Sequence, residues 1–175
     1  MSVLSDFKPS ILFLGKFIGI YIVLNIGYGF YLDAYQEGAD PMTHFVTAQT
    51  SQLLGFYQDQ VTIGPKADLK SVYLFKDGKA ILSVYEGCNG LNVMIIFLAF
   101  MLAYSKVSLK MLWYIPLGLL TIHLFNLLRI DLLYHVTLSL PKLLYFSHKY
   151  LFTAFIYLAV ITLWAIWILK LDVKR

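Results

Sequence analysis

Val84-Tyr85-Glu86-Gly87-Cys88-Asn89-Gly90-Leu91-Asn92 runs directly into the apolar segment Val93 to Tyr104. The only cysteine of the chain therefore stands between two glycines at the mouth of a helix apolar enough for a membrane. A lone cysteine in a membrane protein is ordinarily a small buried hydrophobe. The flanks oppose that reading, because Glu86, Asn89 and Asn92 are costly to bury without partners and fit a polar, water-accessible pocket. The thiol is expected to face a bound or reacting group.

Composition sets the class. Of 175 residues, 59% are hydrophobic and 14% charged, with a mean hydropathy of +0.72, which is too apolar for a soluble domain. The net charge of +4 comes from basic residues in short segments between apolar runs, so it reads as topology signal and not as a nucleic-acid patch. A single cysteine excludes an internal disulfide, and no CxxC or Cys/His zinc spacing exists. A metal site built from Cys88 and the histidines matches no recognised pattern, so neither metal nor cofactor is expected.

Working outward, the first apolar run, 11–32, lacks a small-x-small cleavage site and is read as a retained span. Gly15, Gly19, Gly27 and Gly29 give it small faces suited to packing on a neighbouring span. From Asp33 to Tyr85 the chain turns polar. Pro41 opens an expected amphipathic helix with Phe45, Ala48, Leu53, Leu54 and Phe56 on its apolar side and Thr47, Gln49, Ser51 and Gln52 on the other. Residues 71–75 and 80–84, joined by Lys76-Asp77-Gly78-Lys79, read as a β-hairpin, and a lone hairpin needs the preceding helix or the membrane surface to pack on.

Beyond the quoted stretch, Met111 to Ile130 is a further span ending at Arg129 and Asp131. Leu132 to Phe146 is short and interrupted by Pro141, so it is read as an interfacial segment, with Ser139 as N-cap of the final helix. The expected fold is an all-α polytopic membrane protein, one integral domain over 1–175. It has about four transmembrane helices (11–32, 91–104, 111–130 and 148–169) and a small extracytoplasmic segment, 33–87, of amphipathic helix plus β-hairpin. Lys8, Lys16, Lys106, Lys110, Lys170, Lys174 and Arg175 then share the cytoplasmic side.

Counting 1.5 Å per residue from that side puts Cys88 at roughly 25 Å, Arg129 at roughly 28 Å and His148 at roughly 33 Å. All three converge on the outer interface. A nucleophile, a proton acceptor and a fixed positive charge at one depth suit thiolate chemistry with oxyanion or carboxylate recognition. Glu86 works against the thiolate unless paired, for instance with Arg129. His135, also in the outer region, is a rival base. His123 lies about 9 Å deeper and is read as an interhelical hydrogen-bonding residue.

Three motifs then carry a resemblance. Glu86-Gly87-Cys88-Asn89-Gly90, Asn126-Leu127-Leu128-Arg129-Ile130 and Ser147-His148-Lys149, in that order before a last apolar span, resemble the exosortase/archaeosortase family of membrane cysteine transpeptidases. The chain looks most like its short bacterial subfamily, exosortase F. The resemblance implies Cys88 as nucleophile with Arg129 and His148 as catalytic partners, and Glu86, Asn89 and Asn126 around them. It also implies substrates that end in a short motif, a membrane helix and a basic cluster, processed at the periplasmic face of the bacterial inner membrane. Asn89 stands where serine is common in the family, and the chain has fewer spans than longer members, which leaves room for a small membrane partner protein. The competing reading is a non-enzymatic membrane assembly or docking subunit, with the 33–87 segment as its docking surface.

Overall fold

The computed structural model describes residues 3–57, 60–65, 70–104 and 108–171, with side chains from residue 7 onward. Lys106, Lys174 and Arg175, on which part of the expected charge asymmetry rests, lie outside the described residues. The first helix, α1, spans Val3–Asp33, of which Phe7–Asp33 is long and apolar enough to cross a membrane. It packs on α3, Leu91–Tyr104, through Phe13, whose ring meets those of Phe100 and Tyr104 edge-on at 5.6 and 5.9 Å. At the other end the Tyr28 hydroxyl donates to the Glu86 carbonyl at 3.3 Å. These contacts make α1 and α3 antiparallel. The α1 glycines do not mediate this packing, since a Cβ at Gly15, Gly19, Gly27 or Gly29 would meet nothing within 4 Å. Gly15, Gly19 and Gly27 lie on the exposed side of α1, and aromatic side chains fill the seam with α3.

Helix α4, Leu109–Ser139, runs antiparallel to α3. Phe97 lies fully buried against Gly118, where a Cβ would come within 2.3 Å of the ring. Only glycine permits that approach. The long helical run α5, Pro141–Leu171, returns antiparallel to α4, with the Tyr114 hydroxyl on the Leu163 carbonyl at 2.7 Å and Phe125 5.2 Å from Phe155. Phe100 stacks on Trp164 at 4.3 Å, closing the bundle around Phe97, Met101, Ile122, Ile156 and Trp167.

Among the described residues three of these helices reach spanning length, and α3 is a shorter apolar helix of 14 residues. At 1.5 Å per residue α3 covers about 21 Å of a ~30 Å hydrocarbon core, whereas the 31 residues of α4 cover about 46 Å. The expected break after Ile130 is therefore absent. Helix α4 continues through Asp131, which is buried and accepts a hydrogen bond from the Tyr57 hydroxyl. Leu140 makes the turn into α5, without a side-chain cap, and Ser139 is the last residue of α4 and not an N-cap. A 15-residue leucine-rich stretch looks interfacial when isolated, but here its helix is extended by packing on the outer elements.

Those elements are α2, Pro41–Gly55, and a three-stranded antiparallel sheet of β1 Val61–Gly64, β2 Val72–Lys76 and β3 Lys79–Val84 in sequence order. Asp77 and Gly78 both have positive φ, 50° and 73°, the geometry of a two-residue type I′ turn that Asp-Gly favours. Strand β1 went unread, being four residues long; it is anchored by the Ser51 hydroxyl on the Val61 carbonyl at 2.7 Å. The face of α2 also differs from expectation. Thr43, Val46, Thr47, Thr50 and Leu54 are buried, while Phe45 and Phe56 are 52% and 86% exposed. Threonine can occupy the buried face because Thr47 and Thr50 return their hydroxyls to the carbonyls of Thr43 and Val46, leaving nothing unsatisfied. Val46, Leu54, Leu74, Val84, Ile130 and Tyr134 form a second core around Cys88. The sheet and α2 thus rest on the C-terminal end of α4.

Candidate active site

The site is assembled where β3 hands the chain to α3. Tyr85 is extended, with φ −127° and ψ 175°, and Glu86–Cys88 make one tight 3₁₀ turn in which the Cys88 amide donates to the Tyr85 carbonyl at 2.7 Å. Gly90 completes the reversal at φ +86°, a region costly for side chains, and a Cβ there would press within 3.2 Å of the Asn126 amide. Asn89 caps α3 by accepting from the Leu91 amide at 3.0 Å. Its Nδ2 reaches back to both carboxylate oxygens of Asp40 at 3.4 and 3.5 Å. Asp40 in turn caps α2 through the Met42 and Thr43 amides, each at 3.0 Å, and accepts from the Tyr31 hydroxyl at 3.0 Å. One buried carboxylate therefore ties α1, α2 and the cysteine turn together.

Cys88 Sγ lies 3.3 Å from His148 Nε2. His148 belongs to a π-helical segment, Ser147–Leu151, inside α5. Such a one-turn widening redirects a side chain and recurs at functional sites. From α4, Asn126 Nδ2 donates to the Cys88 carbonyl at 2.9 Å, and Arg129, one turn on, approaches the Asn126 oxygen at 3.5 Å. Asn126 and Arg129 are both buried, and the Arg129 Nε has no hydrogen-bond partner among the described residues. A buried cation with a free donor is costly unless a further partner arrives.

The thiol is only 4% exposed. Burial pushes its pKa above the usual value, and the neighbouring Arg129 charge, with hydrogen bonds from Tyr85 and Arg129, pulls it back. The arrangement can move the thiol proton to His148 and hold an anion beside Arg129.

The structure thus brings together Cys88, Arg129, His148 and Asn126, with Asn89 directly behind. Glu86 is exposed and contributes its carbonyl to Tyr28, while Arg129 is buried against Asn126. His135 does not reach the thiol. It stacks on Tyr57 at 5.7 Å, with Nε2 3.4 Å from that hydroxyl. His123 bonds Gln49 of α2 at 2.6 Å, so its interhelical partner lies on α2 and not on another span. Two residues at the site had escaped sequence reading. Asp40 was legible as the capping residue before Pro41, and Tyr85 only through its three-residue offset from Cys88. Among the described residues no cluster of three or more His, Cys, Asp or Glu side chains could hold a metal ion.

Neither curated proteins nor solved structures yield a match to this chain. The family profile of transmembrane exosortases matches residues 11–165, nearly the whole length and all three motifs. The chain belongs to the transmembrane exosortase family.

Proposed function

We propose that this membrane-embedded, sorting-related protein is a cysteine peptidase or transpeptidase that processes C-terminal sorting signals of exported proteins. The observation that carries the proposal is the 3.3 Å approach of Cys88 Sγ to His148 Nε2 beside the buried Arg129. His148 takes the thiol proton, and the thiolate attacks the scissile carbonyl carbon to give a tetrahedral intermediate. Arg129, with its unused Nε donor, holds the oxyanion. Collapse breaks the C–N bond, the departing amine takes the proton from His148, and the substrate acyl group remains as a thioester on Cys88. An incoming amine or water then releases it, passing its proton through His148.

On this reading the site faces the periplasm of a bacterial inner membrane, which is supported by Lys8, Lys16, Lys110 and Lys170 at the far end of the bundle, although Lys142 and Lys149 lie at the Cys88 end. A substrate with a membrane helix and a basic tail meets the site by lateral diffusion, its cleavage point held at the depth of the thiol. The test is intact-mass analysis of exported proteins ending in a motif, an apolar helix and a basic cluster, from cells carrying wild-type chain or Cys88→Ala. Tail loss in the first and retention in the second is expected. Equal processing in both would leave the docking-subunit reading.

A further inference from the structure

An acyl-transfer site needs donors for the oxyanion, and several amides beside the thiol are already engaged. The Cys88 amide donates to the Tyr85 carbonyl at 2.7 Å, the Asn89 amide leans on the Glu86 carbonyl at 3.5 Å, and the Leu91 amide is capped by Asn89. Asn126 Nδ2 is held by the Cys88 carbonyl. Arg129 supplies one source of donors, and Tyr85 offers a second. The Tyr85 ring lies 6.4 Å from the His148 ring, which itself contacts Sγ. Its phenol end rests on Gly87, the residue before the nucleophile. A Cβ at Gly87 would fall 2.6 Å from Tyr85 Cε2 and 3.3 Å from Cζ, the carbon that bears the hydroxyl. Gly87 is thus the seat of the Tyr85 ring, and the Tyr85 hydroxyl hydrogen-bonds the Cys88 thiol.

Building on the thiol-peptidase reading, we infer that Tyr85 is a further catalytic residue, whose hydroxyl donates first to the Cys88 thiolate and then, together with Arg129, to the oxyanion of the tetrahedral intermediate. No proton is transferred in either contact; the O–H bond persists and only its acceptor changes from sulfur to oxygen. The anionic thiolate raises the Tyr85 pKa above its ordinary value, with burial adding to it and Arg129 opposing, which favours a protonated hydroxyl facing the thiolate. At 41% exposed, Tyr85 forms an open wall beside the buried thiol.

Tyr85→Phe keeps the ring on Gly87 and removes only the donor. The sole thiol of the chain makes alkylation by iodoacetamide, followed by intact mass against pH, a direct reading of Cys88. The expected result for the purified full chain in detergent is an alkylation midpoint raised by about one pH unit. Tail processing in cells should fall by about 100-fold with the melting temperature unchanged. An alkylation curve and a processing rate that both superimpose on wild type would overturn the inference and leave Tyr85 a mere cover. A raised midpoint in a chain that shows no Cys88-dependent processing at all would refute the peptidase reading, and with it the catalytic role, while leaving the hydroxyl–thiol contact standing.

Discussion

Replacing Arg129 by glutamine removes the fixed cation that stabilises the thiolate, and the effect can be sized from that loss. Burial raises the Cys88 pKa, and the Arg129 charge is the largest influence opposing it. An opposite charge within a few ångströms lowers an acid's pKa by about 1 to 3 units, so losing it should move the alkylation midpoint up by the same amount. Below the midpoint each unit costs tenfold in thiolate, so iodoacetamide labelling at neutral pH should slow by about 10- to 1,000-fold. Arg129→Lys separates charge from geometry. Lysine keeps the positive charge, so the midpoint stays close to wild type, but it lacks the planar fork, and processing should still fall by about 100-fold or more. Circular dichroism and a melting curve in detergent establish that both variants are folded. A glutamine variant whose pH profile superimposes on wild type would show that Arg129 does not act on the thiol, and the oxyanion role would fall with it.

Two further outcomes follow from the geometry. His148→Ala should lose most processing and His135→Ala little, because only His148 reaches Sγ; the reverse ranking in the same tail-loss assay would move the base to α4. Asp40→Asn leaves α2 capped, since asparagine caps as well as aspartate, but it turns a donor against the Asn89 amide and should cut processing by about tenfold. The double variant Asp40→Asn/Asn89→Asp restores a donor facing an acceptor and should recover it. Failure of the second change to rescue the first would show that the Asp40–Asn89 contact does not position the cysteine turn.

Sequence by itself determined the membrane class, the Asp-Gly turn and the depth of each polar residue, because these follow from composition, local backbone preference and a fixed rise per residue. Cys88, Arg129 and His148 could be placed at one level by counting. Depth carries no information about rotation around a helix axis, and rotation decides contact. His148 and His135 were both acceptable bases by depth. The packing of α5 against α4, with its π-helical segment, turns His148 onto the thiol, while the seating of α2 on α4 gives His135 to Tyr57. The same seating inverted the expected face of α2, since threonines that satisfy their own hydroxyls can be buried and Phe45 can remain outside. It also carried α4 past Asp131, whose charge reads as a helix end only until Tyr57 is there to bind it. Asp40 belongs to the tertiary structure for the same reason. Its capping role is local, but its bond to Asn89 joins residues 49 positions apart and exists only once α1, α2 and α3 have met.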